Sequence, residues 1–128
     1  MTRYINFHLK AFHLQILDQT LRISCQEYDE IVKSQTKHIL LDVREKVQFN
    51  ICALEGSINI PFDSFLKNVQ DFKLKNDTSA LPTYVICRRG NDSQLAVKIL
   101  TQAGIDAKDI IGGLVTWSKV VDATFPTY

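Results

Sequence analysis

From Leu21 onward, strand-like and helix-like segments alternate about five times, and that rhythm constrains the fold more than any other feature of the chain. Leu21-Arg22-Ile23 reads as a short strand. Ser24-Cys25-Gln26-Glu27 is a capping box that opens a helix, with Ile23 and Tyr28 spaced as its hydrophobic staple. Tyr28, Ile31 and Val32 fall on one face of that helix. Ile39-Leu40-Leu41 is a buried-type strand ending at Asp42-Val43-Arg44, and a short helix follows from Glu45 to Ile51. Gly56 to Pro61 reads as a turn, a short strand and a proline stop. Asp63 to Phe72 reads as helix and Lys75 to Pro82 as loop. Thr83 to Ile86 is a β-branched and aromatic strand, followed by a helix from Leu95 to Ala103 that ends at Gly104, a C-cap glycine. Asp109-Ile110-Ile111 is the last strand, and Gly112-Gly113 turns into a helix bearing Leu114, Trp117 and Val121.

Such alternation predicts an α/β fold: a five-stranded, mostly parallel sheet flanked by helices on both faces. Crossovers in such a sheet are right-handed. Ligands bind beyond the carboxyl ends of the strands, so Asp42 and Cys87 are expected on one rim. Trp117 is expected in the core. The 128 residues, 45 % of them apolar, support one core. Residues 1–20 are less clearly patterned and read as an N-terminal arm or linker remnant before a domain over 21–128. Phe7, Leu9, Phe12, Leu14 and Leu17 suit packing onto that domain or an amphipathic partner-binding helix.

A net charge of +1 without a basic run argues against direct nucleic-acid binding. No apolar stretch approaches the roughly 18 residues that span a bilayer, and the N-terminus lacks signal-peptide patterning. Cys25, Cys52 and Cys87 form no Cys-x-x-Cys pair, which argues against a disulfide framework or a zinc site and fits a reducing compartment. His8, His13 and His38 have no ligand spacing, so no metal and no cofactor are expected, and all three read as surface or packing residues. Cys25 and Cys52 read as structural cysteines.

The chemistry concentrates at Cys87-Arg88-Arg89-Gly90-Asn91-Asp92-Ser93-Gln94, a polar loop between a strand and a helix N-terminus. Gly90 supplies backbone freedom. Successive N–H groups in such a turn can form an anion nest, and the helix adds partial positive charge. Arg88 and Arg89 add full charges. All these favour an anionic sulfur at Cys87, whether thiolate or persulfide. Flanks this polar do not suit the end of an apolar core, so Cys87 reads as a nucleophile.

Together these residues resemble the rhodanese-like sulfurtransferase domains. Leu41-Asp42-Val43-Arg44 matches the family's Asp-x-Arg motif, Gly56 to Pro61 its Gly-Ala-x-Asn-Ile-Pro segment, and Gly112-Gly113-Leu114-Val115-Thr116-Trp117 its closing Gly-Gly-x-x-x-Trp. Cys87 stands at the family's catalytic cysteine, and the resemblance runs from about Leu21 to Tyr128. The Cys-Arg-x-Gly-Asn-Asp-Ser-Gln loop, Ile51-Cys52 and the terminal Phe125-Pro126-x-Tyr128 narrow the likeness to the C-terminal domain of eukaryotic adenylyltransferase–sulfurtransferases.

That resemblance implies a persulfide on Cys87 as covalent intermediate. Sulfur would pass to the C-terminal Gly-Gly acyl-adenylate of a ubiquitin-like sulfur carrier, for tRNA wobble-uridine thiolation or molybdopterin synthesis in the cytosol. Arg88, Arg89, Gly90, Asn91, Asp92 and Ser93 would cradle that persulfide. The adenylating domain, normally in the same chain, is not represented by a Gly-x-Gly-x-x-Gly loop or by Cys-x-x-Cys pairs. The chain is therefore expected to be a fragment, an excised domain or a short isoform that does not hydrolyse ATP. Cys52-Ala53 stands where many rhodaneses have Gly-His.

Asp92 occupies a position where thiosulfate-using rhodaneses carry a basic residue. An acid there should repel the thiosulfate dianion, by roughly 3 kcal/mol for unit charges about 5 Å apart at an effective dielectric of about 20. The implied donor is a protein persulfide such as that of a cysteine desulfurase. Asp92 also suits a plain helix cap. Asp42 and Arg44 suit either a buried ion pair supporting the rim or direct shaping of the loop. Two rivals remain. A rhodanese-like phosphatase needs arginine where this loop has Ser93, and a loop one residue longer. A non-catalytic binding module would use the same rim only to recruit a partner.

Overall fold

Both faces of the sheet are covered, and the central strand Ile39–Asp42 is accordingly buried at all four positions. The computed structural model describes residues 17–65, 67, 69, 72 and 81–127. Among them the strands are β1 (Arg22–Ile23), β2 (Ile39–Asp42), β3 (Ile58–Asn59), β4 (Thr83–Ile86) and β5 (Ala107–Ile110). The helices are α1 (Cys25–Lys33), α2 (Lys46–Ile51), α3 (Asp92–Gln102) and α4 (Gly113–Val120), with further helical residues at 62–65, 67, 69 and 72. The strands form one five-stranded sheet in the order β1-β5-β4-β2-β3. All four pairings are parallel.

Neighbouring residues of the central strands feed opposite cores. Leu41 and Val85 join Phe65, Val97 and Leu100 on the face covered by α3. Leu40 and Ile86 join Tyr28, Ile110, Leu114 and Trp117 on the face covered by α1 and α4. Each such side chain contributes about 1.5–3 kcal/mol by leaving water. The capping box of α1 is complete: Ser24 Oγ accepts the Glu27 N–H at 3.0 Å and Glu27 Oε1 accepts the Ser24 N–H at 2.8 Å.

The structure moves several boundaries. Leu21 closes a 3-10 turn, Gln19–Leu21, instead of opening β1. β5 starts at Ala107 and stops before Ile111. α3 starts at Asp92, three residues ahead of the apolar pattern that begins at Leu95. Asp92 is therefore the first helical residue and not the cap. Asn91 holds the N-cap position, without a side-chain capping bond. Of the arm residues, Leu17 is buried, and Asp18 Oδ1 accepts the Thr20 N–H at 2.9 Å. Phe7, His8, Leu9, Phe12, His13 and Leu14, and most of the loop at 75–82, lie outside the described residues.

Candidate active site around Cys87

Asp42 pairs with Ile86 in the β2–β4 register, so Cys87 lies one residue beyond the partner of Asp42, at the same carboxyl rim. Cys87 leaves β4 at the start of the loop that enters α3 at Asp92. Its sulfur receives the Gly90 N–H at 3.1 Å and the Ser93 N–H at 3.4 Å. Two converging N–H groups suit a sulfur anion. Gly90 has φ +88°, where side chains are rarely tolerated, and a Cβ there would lie 2.7 Å from the backbone nitrogen of Gly112.

The closing Gly-Gly motif braces the loop from outside. The first turn of α4 has N–H groups without partners in its own helix. Leu114 N–H donates to the Cys87 carbonyl at 3.0 Å and Val115 N–H to the Arg88 carbonyl at 2.9 Å. Gly113 permits that approach, since a Cβ there would lie 2.4 Å from the Cys87 carbonyl oxygen. From within α3, Gln94 Nε2 donates to the Gly90 carbonyl at 2.8 Å.

Across from the loop, the wall of the site is set by Arg44. Its Nε lies 3.0 and 3.1 Å from the two carboxylate oxygens of Asp42, and its Nη2 lies 2.7 Å from Asp42 Oδ2. The pair is almost wholly buried, with side-chain exposures of 1 % and 0 %. Arg44 also donates to the Gln48 and Cys52 carbonyls at the end of α2, at 3.3 and 2.6 Å. Asn59, from the Gly-Ser-Ile-Asn-Ile-Pro segment, donates to the Asp42 and Arg44 carbonyls at 3.1 and 2.9 Å. This network fixes the wall facing the loop.

Cys87, 5 % exposed, lines a cavity of about 310 Å³ between the loop and that wall. Arg88, Arg89, Asn91 and Asp92 line it from the loop, and Val43, Arg44 and Phe62 from across it. Glu45 and Asp63 line it too, and the sequence alone did not single them out. Three arginines thus face three acids, and Arg44 is already bonded to Asp42. The cavity is closer to charge-balanced than the Arg-Arg loop suggests.

Ser93 is both a backbone donor to Cys87 and a link inward. Its hydroxyl lies 3.3 Å from the sulfur and donates to Asp109 Oδ1 at 2.5 Å. Asp109 Oδ2 accepts Arg22 Nε–H at 2.7 Å. Burial pushes the Asp109 carboxyl above its ordinary range, against the lowering effect of Ser93 and Arg22. Cys25 is buried, and burial, with the Asp109 charge second, pushes its thiol up to about 11, so it stays protonated at neutral pH. Cys52 is half-buried rather than a buried core cysteine. His38 packs locally, 2.8 Å from the Tyr28 hydroxyl. Among the described residues no group of acids, histidines and cysteines is arranged to hold a metal. No helix among them is long and apolar enough to cross a membrane.

The model of the rhodanese-like domain family matches residues 24–120. The chain is 43 % identical over 137 aligned positions to the adenylyltransferase and sulfurtransferase uba4 of Sclerotinia sclerotiorum, covering 98 % of this chain and 30 % of that relative. It is 51 % identical to UBA4 of Yarrowia lipolytica, covering 88 % and 27 %. It is 40 % identical to MOCS3 of Arabidopsis thaliana, again an adenylyltransferase and sulfurtransferase by name, covering 98 % and 30 %. The chain therefore spans less than a third of the length of these curated relatives. Among solved structures, a rhodanese-related protein of Thermoplasma volcanium aligns with TM-score 0.66 and 28 % identity, over 82 % of this chain and 94 % of that one. A Pseudomonas aeruginosa thiosulfate sulfurtransferase aligns with TM-score 0.70 at 18 % identity, over 86 % and 21 %, a likeness of fold alone. The chain belongs to the rhodanese-like domain family.

Proposed function

We propose that the chain is a sulfurtransferase that carries a persulfide on Cys87. The observation that carries this reading is the pair of N–H groups, from Gly90 and Ser93, converging on a cysteine sulfur beside an open cavity. Cys87 attacks the outer sulfur of a donor persulfide, the donor's S–S bond breaks, and the donor cysteine leaves as a thiolate. The loop then holds an anionic terminal sulfur on Cys87, needing no further cofactor.

The donor is a protein, in the manner of a cysteine desulfurase. Asp92, Asp63 and Glu45 line the cavity and offset its arginines, so a free sulfur dianion gains little there, while a tethered protein donor does not depend on that charge. The acceptor is the C-terminal Gly-Gly of a ubiquitin-like sulfur carrier, activated as an acyl-adenylate by an adenylating domain. The names of the relatives join adenylyltransferase and sulfurtransferase activities, which supports this pairing. The pathway is cytosolic tRNA wobble-uridine thiolation, molybdopterin synthesis, or both. In this reading residues 21–128 are the catalytic domain, and the arm before them links it to its adenylating partner.

The test is transfer of labelled sulfur from a desulfurase, through this chain, to a carrier adenylate made by a separate adenylating domain. Label on the carrier that depends on Cys87 is expected. Persulfide on Cys87 that never reaches the carrier removes the acceptor assignment. Tight carrier binding with no sulfur on Cys87 replaces the whole reading with that of a non-catalytic binding module.

A further inference from the structure

We propose that Asp109, acting through the Ser93 hydroxyl, controls whether Cys87 holds its proton, so that Cys87 and Asp109 share one titrating proton and Asp109 is a positioning residue for the nucleophile. The inference rests on Cys87 being the reactive residue of the reading above.

The three groups form a line of donors and acceptors. Cys87 Sγ donates to Ser93 Oγ at 3.3 Å, Ser93 Oγ donates to Asp109 Oδ1 at 2.5 Å, and Arg22 Nε holds Asp109 Oδ2 at 2.7 Å. A serine hydroxyl has one hydrogen. While Asp109 takes that hydrogen, Ser93 shows the sulfur a lone pair. A lone pair accepts S–H and repels S⁻. A sulfur anion fits when the hydroxyl reverses, donating to sulfur and accepting from a protonated Asp109. The step balances: the thiol proton passes to Ser93 Oγ as the Ser93 hydrogen passes to Asp109 Oδ1. One proton moves from sulfur to carboxylate, and nothing leaves.

Asp109 is suited to take that proton. It is fully buried on β5, where burial raises its proton affinity. The groups set against it are Arg22 from β1, Ser93 from α3 and the protonated Cys25 thiol of α1. Of the charges around Cys87 on its other side, Glu45, Asp63 and Arg89 are exposed to screening solvent, Arg88 and Asp92 are half-buried, and the buried Arg44 is paired with Asp42. The route to Asp109 runs through buried atoms.

A purely structural Asp109 would only tie β1 to β5 through Arg22. The two roles separate in the pH profile of Cys87 alkylation by iodoacetamide, read by peptide mass spectrometry. In Asp109→Asn the amide donates to Ser93 and leaves the hydroxyl free to donate to sulfur. Alkylation about tenfold faster than wild type is expected near pH 6, with equal rates near pH 10. In a Ser93→Ala background the same substitution is expected to change the rate less than about twofold. No acceleration, or equal acceleration in both backgrounds, overturns the proposal. Should Asp109→Asn fail to fold, Ser93→Ala alone decides. The wild-type profile is expected to rise in two coupled steps and the Ser93→Ala profile in one; the same single step in both overturns it. Alkylation needs no sulfur donor, so failure here is distinct from failure of sulfur transfer.

Discussion

A Cβ on Gly90 would lie 2.7 Å from the backbone nitrogen of Gly112, so the loop that donates to Cys87 and the turn that opens α4 touch backbone to backbone. The N–H that Gly90 sends to the sulfur depends on its φ of +88° and on that contact. Gly90→Ala is expected to destabilise the fold by about 1–3 kcal/mol through left-handed strain. Persulfide loading should fall at least tenfold, because the clash displaces the donor. Urea unfolding with a loading assay on the folded variant checks both. Full loading in the variant would show that the Gly90 N–H is dispensable.

Asp42 and Arg44 neutralise one another out of water. Arg44→Ala leaves a buried carboxylate unpaired and also strips the Gln48 and Cys52 carbonyls of a donor. A loss of about 3–5 kcal/mol is expected. Asp42→Asn placed on top of Arg44→Ala should recover part of it, since the unpaired charge is gone. Denaturant midpoints of the single and double variants measure the recovery, and none at all would mean that the carbonyl bonds dominate.

Asp92 opens α3, where an acid also gains from the helix N-terminus. Asp92→Arg is expected to raise kcat/KM for thiosulfate:cyanide sulfurtransfer by about tenfold or more, by removing a repulsive charge and adding an attractive one. It should cost about 0.5–1 kcal/mol of stability from the helix end. An unchanged or lower kcat/KM contradicts the donor assignment.

The fold was legible because strand-like and helix-like segments alternate along the chain and because Ile39-Leu40-Leu41 is a continuous apolar run that only a two-sided sheet can bury. The site was half legible. Cys87 and its loop stand in one contiguous motif, and that motif lines one side of the cavity. Asp109 is not legible as a site residue, because an acid in a short strand looks like a solvent-facing position. Its partner Arg22 lies 87 residues away in sequence, and nothing local signals that the two meet. Apolar periodicity starts α3 late for a related reason. Ser93 and Gln94 are buried by the loop they brace rather than by an apolar face, so hydrophobic periodicity does not register them.

Asp109 also gives stability a sign. Its proton affinity is raised in the folded state, so it favours folding below the ordinary carboxylate range and that contribution is lost as pH rises through the raised value. The stability advantage of wild type over Asp109→Asn is therefore expected to be largest below about pH 4 and to shrink toward neutrality. Thermal or urea melts across that interval test it. An advantage that grows with pH would mean that Arg22 outweighs burial.

The most direct test of the central claim is intact-protein mass spectrometry after incubation with a cysteine desulfurase and free cysteine. An adduct of one sulfur atom is expected, reversed by a reducing thiol, mapped to Cys87 and lost in Cys87→Ala while Cys25 and Cys52 remain. No adduct on the wild type, or an adduct that persists in Cys87→Ala, contradicts the claim.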